Sequence, residues 1–209
     1  MGNRKGAGAT RASRAVDQLL SEIRACRLCE KHLPLGPRPV LQASATSRLL
    51  IVSQAPGRKV HETGIPFNDP SGDRLRDWLG IDKPTFYDAG RVAIVPMGFC
   101  FPGTGKGGDL PPRPECAPAW HPRLLPLLKQ VQLTLVIGQY AQAGLLGVAR
   151  GTRLTDTVQA WRDHLAHGRL PLPHPSPRNR LWLKRNPWFE TELLPMLRER
   201  VAAALHAAD

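Results

Sequence analysis

No run in this 209-residue chain approaches the roughly 20 consecutive apolar residues that a membrane-spanning helix needs. The N-terminus is basic but lacks the apolar segment of a secretory signal peptide. Both absences lead us to expect a cytoplasmic protein that engages no membrane. Acidic residues are also scarce: 17 stand against 29 lysines and arginines, a formal charge of +12, and the sequence pI is near 10.4. Such an excess attracts phosphate backbones whatever their sequence, so nucleic acid is the expected partner, with a merely basic surface as the alternative. Cysteine is limited to four residues, which in a reducing compartment are expected as metal ligands or buried thiols rather than disulfides. No Gly-x-Ser-x-Gly surrounds Ser176, which argues against a serine nucleophile there. The stretch from Gly103 to Gly108 holds Lys106 inside it with no Ser or Thr following, so it is not a Walker loop. No internal repeat is present.

At this length, and with 42% hydrophobic residues, one domain over residues 11–209 is expected. Residues 1–10 are glycine-rich and basic and read as a flexible tail. Ala15, Leu19, Leu20 and Ile23 recur at helical spacing, predicting an amphipathic helix from Arg11 to Ala25. Apolar runs predict strands at Arg48 to Val52, Val92 to Val95 and Leu133 to Ile137. Helices are predicted over about Gly72 to Leu79, Pro114 to Gln130, Gln139 to Leu146 and Pro187 to Ala208, the second kinked by Pro118, Pro122 and Pro126. In the Gly72 helix, Asp73, Arg74, Arg76 and Asp77 are expected to face solvent. Short apolar strands alternating with helices define an α/β fold whose mainly parallel sheet is covered on both faces. In such sheets ligands bind beyond the carboxyl ends of the strands, where the loops after Val52, Val95 and Pro173 should converge.

Three constellations carry chemistry. Cys26 and Cys29 form a C-x2-C turn able to present two thiolates to one centre, and Cys100 with Cys116 completes a set of four. Zinc and an iron–sulfur cluster both accept four thiolates, and four separately buried thiols are the alternative. The second constellation is the loop after the first strand. Pro56 and Gly57 turn the backbone around Gln54 and Ala55 so that amides can face a carbonyl oxygen, and Phe67 offers a face for a planar base. Asp69 and Asp73 are the carboxylates nearby; Asp73 suits a helix start, whereas Asp69 has no obvious structural duty. The third is His174-Pro175-Ser176-Pro177-Arg178-Asn179, a proline-stiffened loop suited to pressing on a duplex, with His174 placed to donate to a ligand oxygen.

Together these stretches resemble the uracil-DNA glycosylase superfamily, in particular its four-cysteine iron–sulfur branch, family four. Ser53-Gln54-Ala55-Pro56-Gly57 with Gly64-Ile65-Pro66-Phe67 looks like the first motif, and His174-Pro175-Ser176 like the second. The cysteine order and spacing are similar to the cluster ligands. The wording from Thr63 to Asp73 is similar to family five. The resemblance implies a single-domain, three-layer α/β/α sandwich with a central, mainly parallel four-stranded sheet. It also implies a monomer that flips uracil, or a related deaminated base, out of single- or double-stranded DNA and hydrolyses its glycosidic bond. By the same resemblance Phe67 stacks on the base, Gln54 and His174 bind the uracil oxygen, and Pro175, Ser176, Pro177 and Arg178 press on the DNA backbone. Cys26, Cys29, Cys100 and Cys116 would hold a 4Fe-4S cluster, with zinc as the lesser alternative. Departures are visible too. Gln54 replaces the branch's glutamate, Ala55 replaces the water-activating aspartate of the best-known branch, and Pro96 or Met97 stands where an asparagine reads the uracil edge. Asp69 is therefore the expected water activator, and Asn68 or Asn179 the expected reader of the base. A DNA- or abasic-site-binding protein without catalysis is the alternative.

Overall fold

A computed structural model describes residues 10–149 and 151–206, so the expected tail at residues 1–10 lies, Thr10 apart, outside the described residues. The chain runs α1 (Arg11–Arg24), β1 (Leu49–Val52), α2 (Arg58–Thr63), α3 (Pro70–Leu79), α4 (Lys83–Tyr87) and β2 (Val92–Ile94). Next come β3 (Thr104–Gly105), β4 (Gly108–Asp109), α5 (Cys116–Leu124), β5 (Leu133–Ile137), α6 (Gln139–Leu145), α7 (Leu154–Gln159) and α8 (Trp161–Leu165). The last elements are β6 (Arg169–Leu172), α9 (Arg180–Arg185) and α10 (Leu194–His206). None of these helices is long and apolar enough to cross a membrane.

The main sheet has the order β2-β1-β5-β6 and every pair is parallel. Parallel strands need helical crossovers, which cover both faces and make a central strand apolar throughout. All four residues of β1 are buried. Leu49 and Ile51 point into one core with α3, α10, Phe86 and Trp161, whereas Leu50 and Val52 point into another with α1, Leu124 and Ala141. This is the expected α/β/α sandwich with four central strands. The segment at Gln42 closes the outer side of β2, exchanging backbone bonds of 3.0 and 2.6 Å with Ile94, while the Gln42 amide donates to the Val92 carbonyl.

Several local expectations shift. The helix expected from Pro114 to Gln130 begins at Cys116 and ends at Leu124, tightening into a 3-10 turn over Leu125–Leu127 around Pro126. The helix expected from Pro187 opens instead with a π-helical turn, Phe189–Leu193. The glycine-rich stretch after Cys100 is no open loop: β3 and β4 pair antiparallel, with Gly105 opposite Gly108. Arg76 is buried rather than solvent-facing, its guanidinium 5.1 Å from the Phe86 ring centre and 2.6 Å from the Asp73 carboxylate. The helix cap falls to Asp69 rather than to Asp73. Asp69 is the N-cap of α3, its Oδ1 accepting from the Gly72 amide at 2.9 Å, while Asp73 pairs with Arg76.

The entry to α3 fixes the site. Phe67 is left-handed, with φ of 53°, a conformation that costs a non-glycine residue free energy and persists only where its surroundings hold it. Its ring packs edge-on against Phe86 at 6.0 Å, and its carbonyl lies against Gly72 so closely that a Cβ there would sit 1.7 Å from the oxygen. Gly72→Ala must therefore push Phe67 out of place. We expect a loss of about 1–3 kcal/mol in urea unfolding, the usual cost of overpacking; an unchanged midpoint would contradict this reading of the turn.

Candidate active site

All four loops leaving the carboxyl ends of the main sheet meet at one pocket of about 380 Å³. The loop after β1 supplies Ser53 to Gly57, the loop after β2 supplies Pro96, α6 supplies Tyr140, and the loop after β6 supplies His174, Ser176, Arg178 and Asn179. Phe67, Asp69 and Ser71 close one side, and Asp109 and Leu110 from the end of the small hairpin close another.

The turn at Gln54 is pinned by its carbonyls. Ser53 and Gln54 accept from the amides of Met97 and Gly98, each at 2.8 Å, which carries sheet-like pairing past the ends of β1 and β2. The amides of Gln54 and Ala55 have no acceptor among the described residues, so they are free to donate to a ligand. The Gln54 side chain lies over Gly138, where a Cβ would come within 3.1 Å of its amide carbon. Phe67 belongs to the core and lines the pocket as well.

His174 is held in one tautomer. Its Nδ1 accepts from the Ser176 amide at 3.2 Å, which places the ring proton on Nε2 and makes that nitrogen a donor. Burial in the pocket wall depresses its pKa below the usual histidine value, against the opposing pull of Asp69 and Asp109, so the ring is neutral at pH 7. The loop behind it is braced from two sides. Arg74 donates to the carbonyls of Pro175 and Ser176 at 3.3 and 3.2 Å, and the Asn179 amide nitrogen donates to the His174 carbonyl at 2.7 Å. Pro175 is buried and stiffens the loop from within, whereas Pro177 and Arg178 are exposed. Arg178 reaches across to the small hairpin, donating to the Gly107 carbonyl at 2.9 Å.

The four cysteines lie apart from the pocket. Cys26 follows α1, Cys29 and Cys100 share a small apolar cluster with Leu33, and Cys116 begins α5. The charge on any one would be felt by others: Cys116 lies within electrostatic reach of Cys100, Cys29 and Cys26. Burial pushes the thiol of Cys100 up to about 11 and that of Cys116 up to about 12. Backbone amides oppose this, because Phe99 N–H donates to Cys116 Sγ at 3.3 Å and the Arg38 amide faces Cys100. Amides aimed at sulfur stabilise thiolate, and thiolate is the form that binds metal. Among the described residues no three metal-ligating side chains stand in an arrangement for a single ion.

The structure thus gathers Gln54, Ala55, Phe67, Asp69, His174, Ser176, Arg178 and Asn179 at one pocket, and leaves Asn68 outside its lining. Sequence reasoning missed Tyr140 and Asp109 there. Tyr140 had a faint signal, an aromatic with a polar tip directly after a strand and Gly138. Asp109 had none, because only the pairing of β3 with β4 carries it to the pocket.

A neutral histidine donor, unpaired amides and a buried aromatic ring around one cavity at the carboxyl end of a parallel sheet have the chemistry to receive a planar, carbonyl-bearing group. The family description "Uracil DNA glycosylase superfamily" matches residues 41–198, and the chain belongs to that superfamily. Membership brings DNA as the substrate and glycosylase hydrolysis, in general terms, as the chemistry.

Burial lowers the pKa of His61 and His121 as well as His174. Each binds its proton more weakly folded than unfolded, so stability is full above the unfolded value near 6.5 and is lost as pH falls below it. We expect the thermal midpoint to drop between pH 7.5 and 5.5, before carboxylates titrate; a flat profile over that interval would count against neutral, buried histidines.

Proposed function

We propose that this protein hydrolyses the N-glycosidic bond of uracil, or of a related deaminated base, flipped out of DNA, leaving an abasic site. The observation that carries the proposal is the placing of a neutral His174 with Nε2–H as donor in the same pocket as the unpaired amides of Gln54 and Ala55. Negative charge develops on the leaving base as its bond to deoxyribose breaks, and donors fixed in advance stabilise that charge. Phe67 stacks on the extruded base. Asn179 spends its amide nitrogen on the His174 carbonyl, which leaves its oxygen to accept from a base N–H. Pro177 and Arg178 are the exposed parts of the loop that meet the DNA, and Ser176 and Pro175 hold them in shape. Asp69 commits Oδ1 to the helix cap, and Oδ2, without a hydrogen-bond partner among the described residues, orients the attacking water. The protein acts as a monomer on single- or double-stranded DNA.

The four cysteines suit a resident cluster: all four are thiols, three are buried, and amides face two of the sulfurs. Cys26, Cys29, Cys100 and Cys116 would hold a 4Fe-4S cluster. When bound, it would cross-link the turn after α1 to both ends of the segment between Cys100 and Cys116, with no part in the hydrolysis. Protein purified without oxygen is expected to be brown and to carry iron; a colourless product with one equivalent of zinc would replace the cluster by a zinc site.

One observation favours a second reading, in which the protein binds damaged DNA without cleaving it: the Asp69 carboxylate is already engaged as a helix cap. Uracil-containing oligonucleotides followed by alkali separate the two. Strand breaks are expected, and none at any enzyme excess, with salt-sensitive binding retained, would establish the binder. Asp69→Asn is the informative variant, because asparagine caps a helix as well as aspartate but is no base. Its single-turnover rate is expected to fall about 10²–10³-fold with stability and DNA affinity held, within the range of general-base effects. Equal turnover would remove Asp69 from the chemistry.

A further inference from the structure

The small hairpin hangs between two of the cysteines, and its last residue is a carboxylate that neither motif predicts. We propose that Asp109 faces the deoxyribose at the mouth of the pocket and stabilises the positive charge that the sugar develops as the base departs, an inference that rests on the glycosylase reading above.

Geometry singles out Asp109. It lines the same pocket as Asp69 and His174 and is near enough to His174 for their charges to interact. It lies across from the Gln54 turn: a Cβ on Gly57 would stand 3.2 Å from Asp109 Oδ2. The one hydrogen-bond partner of its carboxylate among the described residues is Thr104 Oγ1, at a long 3.4 Å from Oδ1, so its charge is left largely unspent. Its position is nevertheless fixed. The hairpin closes through Gly105 opposite Gly108 and through the Leu110 amide, which donates to the Gly103 carbonyl at 2.8 Å. Arg178 then latches the hairpin to the His174 loop, its guanidinium against Gly108, whose φ of +128° favours glycine. An exposed residue, Asp109 stands at the open side of the pocket, while Phe67 is buried. An extruded base must enter towards Phe67, so its sugar and phosphates stay at the mouth, beside Asp109.

The sign of the charge strengthens the assignment. On a chain of net charge +12 that binds a polyanion, a carboxylate at the mouth repels the phosphates and weakens ground-state binding. Its attraction is realised once the sugar becomes cationic, and an interaction that favours the transition state over the ground state is one that accelerates the reaction. In the step itself, the bond between C1′ and the base nitrogen breaks and its electron pair leaves with the base. Water forms the new bond to C1′ and gives up a proton to the Asp69 carboxylate. Asp109 exchanges no proton; it supplies charge.

The test is Asp109→Asn in the full-length protein, with the cleavage rate measured in single turnover on a uracil oligonucleotide. Affinity is measured separately on the same DNA carrying a non-hydrolysable 2′-fluoro deoxyuridine. We expect the rate to fall by about 10²-fold, the lower end of the range for removed electrostatic contacts, while affinity is unchanged or rises by about two- to fivefold. Asp109→Glu, which keeps the charge, should recover part of the rate. A rate within threefold of wild type would overturn the role of Asp109 and leave the glycosylase reading standing. A loss of rate, affinity and thermal midpoint together would make Asp109 a structural part of the hairpin and likewise overturn the proposal. Failure of the wild-type protein to cleave any deaminated base would instead refute the glycosylase reading and this inference with it.

Discussion

The missing side chain at Gly72 is the constraint on which the site depends. Because nothing projects from that position, the Phe67 carbonyl can settle against the first turn of α3, and Phe67 can turn through its left-handed conformation within a few residues. The same turn puts Asp69 at the helix N-terminus, where its carboxylate accepts an amide hydrogen. One close backbone approach thus sets a ring and a carboxylate side by side. α3 passes the order on, since Arg74 from its second turn grips the carbonyls behind His174. The pocket wall that carries Phe67 and the wall that carries His174 are therefore joined by one helix.

The electrostatics follow from burial as much as from charge. The histidine is neutral because burial disfavours its charged form, and its tautomer is set by a backbone amide two residues away. Two carboxylates act on it without reversing that outcome. A strongly basic protein thereby keeps a local site whose donors are neutral.

Much of the fold was legible because the central strands are unbroken apolar runs ended by Pro96 and Gly138, a pattern that burial on both faces requires. β6 was harder to see, because Pro171 interrupts the pattern of a strand that tolerates it only at the sheet's edge. The helices α2, α4, α7, α8 and α9 have at most six residues each, too few for a hydrophobic period to register. Within the site, motif residues could be read locally, since Gln54, Phe67 and His174 owe their places to nearby turns. The cap at Asp69 rather than Asp73 escaped local reading because the helix starts two residues earlier than its apolar spacing suggests, at Pro70. Asp109 could not be read at all: its meaning comes from Gly57 and Arg178, distant in sequence and brought near by the hairpin.

The borders of the sheet have a consequence for the company the protein keeps. In a parallel sheet successive residues of the outer strand point their backbone groups alternately inward and outward. Gly168 and Leu172 accept bonds from Thr134 and Gly138, so Pro171 falls on the outward side, where it offers no N–H. At the opposite border the Gln42 segment already occupies Ile94. Among the described residues neither margin of the main sheet presents a long row of unpaired amides, which disfavours the addition of a strand from a second molecule at either end.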